Sequence, residues 1–238
     1  MPQIKQSAVR NRLLAALPPS DFERLAASLT PVPLVLKQFM MEADEPIEAA
    51  YFIETGMSSY LAYLEGGEAL EVGIIGREGM VGLPLILGVD SATVGAMVQL
   101  EGTALRINPA ALRQAFNESE ALRTRLLRYM QALHAQVSQT AVCNGRHTLE
   151  ERLARWLLME HDRAESDQFA MTHEFMALML GVRRSGVTVT AGALKQAGLI
   201  NYRNGQMTIL DRPALEAAAC ECYSIVQQQF EQLLGDGA

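Results

Sequence analysis

The chain has 238 residues, 49% of them hydrophobic and 20% charged, with a formal net charge of −7. That composition excludes a disordered or collagen-like chain and allows a packed core in one large or two ordinary domains. The longest uncharged apolar stretch, Gly79 to Val89, is about half the ~20 residues that a membrane-spanning helix needs. Met1 to Arg12 is polar and lacks a signal-peptide core, so a cytoplasmic protein is expected. Three cysteines are too few for a disulfide framework.

The charge is uneven. Residues 1–112 carry 7 basic and 13 acidic side chains, and residues 113–238 carry 13 and 14. No acidic residue lies between Glu174 and Asp211, a segment that holds Arg183, Arg184, Lys195 and Arg203. A polyanion responds to such a local field rather than to the total charge.

In chain order, residues 20–29 read as a short helix, with Ser20 and Glu23 at capping-box spacing. From about 32 to 107 glycines recur between β-rich runs: Pro33–Leu36, Tyr51–Glu54, Ser58–Leu64, Ala69–Ile75, Val94–Leu100 and Thr103–Ile107. Short strands punctuated by turns predict an antiparallel sandwich or barrel, and Gly66-Gly67 reads as a hairpin turn. After Pro109, Leu122, Leu126, Tyr129, Leu133 and Val137 follow helical spacing and form one apolar stripe. The stripe either packs on its own domain or is a seam with a second subunit. Asn144-Gly145 reads as the end of this helix, and Thr148 with Glu151 caps the next.

Thr172 can cap a helix running to Leu180, and Gly181 breaks it. A second helix runs from about Arg184 to Gln196. Ala177, Gly181 and Val187 then stand at helix-turn-helix spacing. At about 100° per residue, Val187, Ala191 and Leu194 share one face. Ser185, Thr188, Val189 and Gly192 share a small, acid-free opposite face bordered by Arg184 and Lys195. Such a face suits a major groove. Asn204-Gly205 between two β-like runs is a strong hairpin signal, with Arg203 beside its tip, and completes a winged helix.

With these features in place, the chain resembles the Crp/Fnr superfamily of bacterial transcription regulators. The residues that carry the resemblance are Gly76-Arg77-Glu78-Gly79-Met80-Val81-Gly82, Leu149–Leu158, and Leu180-Gly181-Val182-Arg183-Arg184. The resemblance implies an α+β chain. A cyclic-nucleotide-binding-like antiparallel β-roll would span 1–117, a dimerisation helix 118–143 and a winged helix-turn-helix 144–238. It implies a homodimer through Leu122, Leu126, Tyr129, Leu133 and Val137. The expected DNA-contacting residues are Thr172, His173, Arg183, Arg184, Ser185, Thr188, Val189, Lys195 and Arg203. An effector pocket would fall near Gly82, Leu83, Leu85, Ser91 and Thr93.

The chain also departs from the family. Cyclic-AMP-binding members carry a ribose-binding glutamate and a phosphate-binding arginine. Here the stretches read Val81-Gly82-Leu83-Pro84 and Val89-Asp90-Ser91-Ala92-Thr93, with neither residue. Asp90 would repel a phosphate. No cysteine precedes Cys143, against an N-terminal iron–sulfur cluster, and no histidine precedes His134, against haem. Of the positions at which family activators present an arginine, an acid and an arginine, here Arg184, Ser185 and Val189, only the first is kept. No function is assigned to Cys220 and Cys222, and the histidines at 134, 147, 161 and 173 lack metal spacing, so no metal or cofactor is expected. No nucleophile elbow, metal motif or phosphate loop is present, so the chain reads as a non-enzyme.

The expected function is that of a homodimeric regulator binding an inverted-repeat operator in double-stranded DNA, with RNA polymerase as a further partner, no membrane, and an unidentified effector other than cyclic AMP. A second reading is a regulatory ligand-binding module whose C-terminal domain contacts protein rather than DNA.

Overall fold

The computed structural model describes residues 4–235. Helix α1 (Arg12–Ala15) is capped by Asn11, whose Oδ1 accepts from the Leu14 amide. The Asn11 amide group donates to the Ile53 and Gly79 carbonyls at 2.9 and 2.8 Å. Helix α2 (Pro19–Ala26) does not use the expected Ser20–Glu23 box. Pro18 is its N-cap and Pro19 its first residue, so Ser20 lies within the helix. A proline at the first helical position already has the required φ.

The N-terminal half is one antiparallel sheet: β1 (Thr30–Leu34), β2 (Phe39–Met41), β3 (Ala50–Tyr63), β4 (Ala69–Ile75), β5 (Met80–Val81) and β6 (Val94–Ile107). The main order is β1-β6-β3-β4, with β2 paired to β6 and β5 to β3. What the sequence reads as four runs is two strands of 14 residues, β3 and β6. Their pairing shifts register near Ile53/Thr55 and Thr55/Met57. Gly56 sits there at φ +75°, and a Cβ on Gly102 would lie 2.1 Å from the Thr55 carbonyl. The glycines allow two long strands to bend together without breaking. A 3₁₀ turn, Leu83–Leu87, precedes β6.

Next come α3 (Pro109–Glu118) and the 27-residue α4 (Glu120–Arg146), capped by Ser119. Helix α4 runs through Asn144-Gly145, the expected stop. One glycine costs a helix about 1 kcal/mol, too little to end one already nucleated and packed. Helix α5 (Leu149–His161) opens on the expected Thr148–Glu151 capping box. Then follow β7 (Gln168–Ala170), α6 (His173–Leu180), α7 (Arg184–Gln196), β8 (Ile200–Arg203), β9 (Gln206–Ile209), α8 (Arg212–Ala218) and α9 (Cys222–Leu234). Strands β7, β9 and β8 form a small sheet in that order.

The apolar stripe of α4 is used within its own chain. Leu122, Leu126, Tyr129 and Leu133 are buried in the β-roll core, and Val137 is half-buried. The Tyr129 hydroxyl donates to the Met80 carbonyl at 3.2 Å, and a Cβ on Gly79 would lie 2.3 Å from that hydroxyl. Gln136 bonds both backbone groups of Ile74, receiving from its amide at 2.5 Å and donating to its carbonyl at 3.3 Å. It thereby pairs the free edge of β4. Helix α9 runs antiparallel along α4, with Cys222 beside Gln139 and Leu234 beside Arg125. Val226, Phe230 and Leu234 of α9 enter the same core. The expected seam is therefore corrected: periodicity reports that a face is buried, not by which chain. The outward face of α4 carries Leu127, Gln131, His134, Ser138 and Ala141, all exposed.

Candidate nucleic-acid interface

Helix α6 is capped by the Thr172 hydroxyl, which accepts from the Phe175 amide at 3.1 Å. It ends at Gly181, φ +62°, where a side chain would be strained and would meet Leu70 of β4 at 2.6 Å. Helix α7 buries Val187, Ala191 and Leu194 against α5 and α6. Its opposite face presents Ser185, Thr188, Val189 and Gly192, all exposed, with Val189 at 74%. Arg183, Arg184 and Lys195 are exposed beside it.

The wing is held to this face by side chains. The Thr188 hydroxyl donates to the Arg184 carbonyl at 3.0 Å, which leaves its oxygen to accept from His173 Nδ1, also at 3.0 Å. The His173 ring stacks on Tyr202 of β8, centroids 4.2 Å apart. Burial first, and the Arg184 charge second, lower the His173 pKa and favour its neutral form. Lys195 Nζ donates to the Tyr202 carbonyl at 3.1 Å. Asn204 and Gly205, at φ 53° and 74°, make the expected tight turn, and Arg203 is exposed beside it.

Of the sequence-predicted DNA set, Arg183, Arg184, Ser185, Thr188, Val189 and Arg203 thus lie exposed on α7, its N-cap or the wing. Thr172, His173 and Lys195 do much of their work internally, as cap, ring stack and wing tie. Tyr202, which the sequence reading omitted, completes the junction; its alternation in a strand gave no sign of the stack.

Of the expected effector residues, Gly82, Leu83 and Leu85 are buried, whereas Ser91 and Thr93 face solvent. Leu83 and Leu85 of the 3₁₀ turn serve the core while Leu87 is exposed, and Asp90 is ion-paired with Arg113. The expectation of no metal spacing also changes in space. His147 and Cys143 at the end of α4 meet Cys220 and Cys222.

The two halves meet through buried polar groups. Trp156 of α5 donates to Glu71 of β4 at 2.7 Å, and Gln99 of β6 donates to Glu160 of α5 at 2.5 Å. Arg163 donates to Glu78 Oε1 from Nε and Nη2 at 2.9 and 2.6 Å.

Residues 151–218 match the model of the Crp-like helix-turn-helix domain. The whole architecture is similar to that of solved transcription regulators. FixK2 from Bradyrhizobium japonicum superposes with a TM-score of 0.69 at 19% identity, covering 81% of this chain and 98% of that one. A Crp/Fnr-family regulator from Eubacterium rectale gives 0.68 at 17%, covering 87% and 96%. CLP from Xanthomonas campestris, a c-di-GMP-responsive global regulator, gives 0.60 at 18%, covering 80% and 98%. No curated protein matches the sequence.

Proposed function

We propose that this chain, which carries a Crp-like helix-turn-helix domain on the fold of Crp/Fnr regulators, is a homodimeric, sequence-specific DNA-binding transcription regulator. The observation that carries the reading is the outward face of α7. It is exposed, free of acids and made of small side chains, with Arg183, Arg184 and the wing residue Arg203 around it. Hydroxyls and methyls at that surface can reach base edges, and the guanidinium groups can reach guanine or phosphate. Two such helices on a two-fold axis would enter successive major grooves about 34 Å apart and read an inverted repeat.

The dimer in this reading forms through the outward face of α4. Leu127, Gln131, His134, Ser138 and Ala141 follow spacings of 4, 3, 4 and 3, the heptad rhythm of a helix pair. The β-roll would receive a signal other than cyclic AMP. Leu83 and Pro84 stand where the ribose-binding acid would be, and Arg113 is engaged by Asp90. Any effector must bind the DNA-competent and incompetent states unequally.

Genomic capture of bound fragments, followed by affinity measurement across a salt series, tests the proposal. A recovered inverted-repeat motif, bound more tightly than scrambled duplex and with steep salt dependence, is the expected result. Failure to retain DNA at low salt would refute it and favour a protein-contacting module.

A further inference from the structure

Three cysteines and a histidine, far apart in sequence, converge where α4 ends. Cys143 lies in the last turn of α4, and His147 follows that helix. Cys220 precedes α9, and Cys222 is its first residue. Their four donor atoms all lie within 4.8 Å of one another. The Cys143 and Cys220 sulfurs are 3.5 Å apart, and Cys222 Sγ is 3.5 Å from His147 Nδ1. A tetrahedral ion with bonds of about 2.3 Å to sulfur and about 2.05 Å to nitrogen sets these separations near 3.8 and 3.6 Å. The two observed separations lie within about 0.3 Å of these values. A disulfide would require the sulfurs to close to about 2.05 Å. All three thiols are free and buried, and they cluster apart from the two apolar cores.

The surroundings point the same way. The other ring nitrogen of His147, Nε2, lies 3.3 Å from Glu221 Oε2. A carboxylate there holds the ring proton on Nε2 and leaves the Nδ1 lone pair toward the sulfurs, the usual support of a metal-bound imidazole. Gln139 Nε2 donates to Cys222 Sγ at 3.0 Å, a bond suited to a thiolate. Arg152 and Arg155 line the same small cavity as Cys143, which suits the net negative charge of three thiolates and one divalent ion.

We propose that Cys143, His147, Cys220 and Cys222 form a four-ligand site for a divalent ion of the zinc class, clamping the start of α9 to the end of α4. Three thiolates and an imidazole select a soft or borderline ion over magnesium or calcium. On binding, each sulfur and Nδ1 gives one lone pair to the ion. Three thiol protons leave to solvent, and no oxidation state changes. Four protein ligands close the coordination sphere, so the site holds structure rather than a reacting water. The ion joins the long helix to the polypeptide just beyond the helix-turn-helix domain, so its loss loosens the attachment of α9 to α4.

The test uses the full chain, reduced, stripped with chelator, reloaded with zinc(II) and gel-filtered. About one zinc per chain and a higher melting temperature are expected, and cobalt(II) in its place should give the visible bands of tetrahedral thiolate ligation. Cys222→Ser and His147→Ala should each lower zinc retention at least about tenfold in chelator competition, with helical content preserved by circular dichroism. Folded, reduced wild-type protein that retains less than about a tenth of an equivalent of zinc and shows no cobalt bands overturns the proposal. So does undiminished zinc retention in folded Cys222→Ser. Recovery of a Cys143–Cys220 disulfide, with the reduced form taking no metal, also overturns it and makes the pair a redox element. The wild-type cobalt spectrum decides the matter even where a variant fails to fold.

Discussion

The indole Nε1 of Trp156 donates to Glu71 Oε1 at 2.7 Å, inside the junction between β-roll and C-terminal domain. The second oxygen of Glu71 and that of Glu160 are both buried without a partner. Burial raises the Glu71 pKa to about 7, and burial together with the charge of Glu71 raises that of Glu160. The ordinary value is 4.5, so the folded state keeps a proton that the unfolded chain releases. The stability this contributes is full below about pH 4.5 and falls as pH rises through the raised folded-state values of the two carboxyls. Urea unfolding at pH 5 and pH 8 should show it, and Glu71→Gln should flatten the slope. An unchanged slope in that variant would assign the dependence to other groups.

Arg184 and Arg203 should fail differently on DNA. Arg184 opens α7, where its fork can meet a guanine edge. Arg184→Ala should cost about 1–3 kcal/mol on the operator and relax preference at one symmetric base position. Arg203→Ala should weaken operator and scrambled duplex alike and lower the salt slope by about 1 per subunit. Equal, sequence-independent losses would make both arginines phosphate clamps.

The two faces of α4 separate dimerisation from folding. Leu127→Arg and Ala141→Arg lie on exposed positions and should give folded monomers by light scattering, with native circular dichroism and only the modest fall in melting temperature that losing a partner brings. Leu126→Glu, at 0% exposure, should instead unfold the chain, at several kcal/mol for an unpaired buried charge. Dimers that persist in both arginine variants would place the interface elsewhere.

Gly79→Ala tests the seat of α4 on the roll. The new methyl would lie 2.3 to 2.5 Å from the hydroxyl and ring of buried Tyr129. A loss of about 1–3 kcal/mol is expected, or a fall in melting temperature of roughly 2–12 °C for a chain of this size. Tyr129→Phe should not rescue it, because ring carbons clash as well. A wild-type melting curve for Gly79→Ala would show that α4 can lift from β5.

Much of the winged helix was legible because its signals are local. Thr172 caps within three residues, Gly181 supplies its own left-handed turn, and Asn204-Gly205 selects one hairpin. Periodicity likewise found the buried faces of α4 and α7. It did not reveal what covers them, since a stripe from Leu122 to Val137 looks the same whether it meets a partner or a β-roll. The strands read as shorter than they are because Gly56 and Gly102 bend β3 and β6 without ending them. The cysteine–histidine cluster was illegible for a plainer reason. Cys143 and Cys220 are brought together only by the return of α9 along α4, and spacing along the chain carries no trace of that.

That return has a consequence for how the protein is made. Val226, Phe230 and Leu234 finish the same interior as Leu13, Leu14 and Phe22. During synthesis the roll and α4 leave the ribosome well before α9 does, with the apolar ground that α9 covers still wet. The first half of the chain therefore cannot mature vectorially, closing as it emerges, but waits for residues translated after the whole DNA-reading unit. A fragment ending at Arg146 should be sticky and prone to aggregate, and a co-translational chaperone would find its best foothold there.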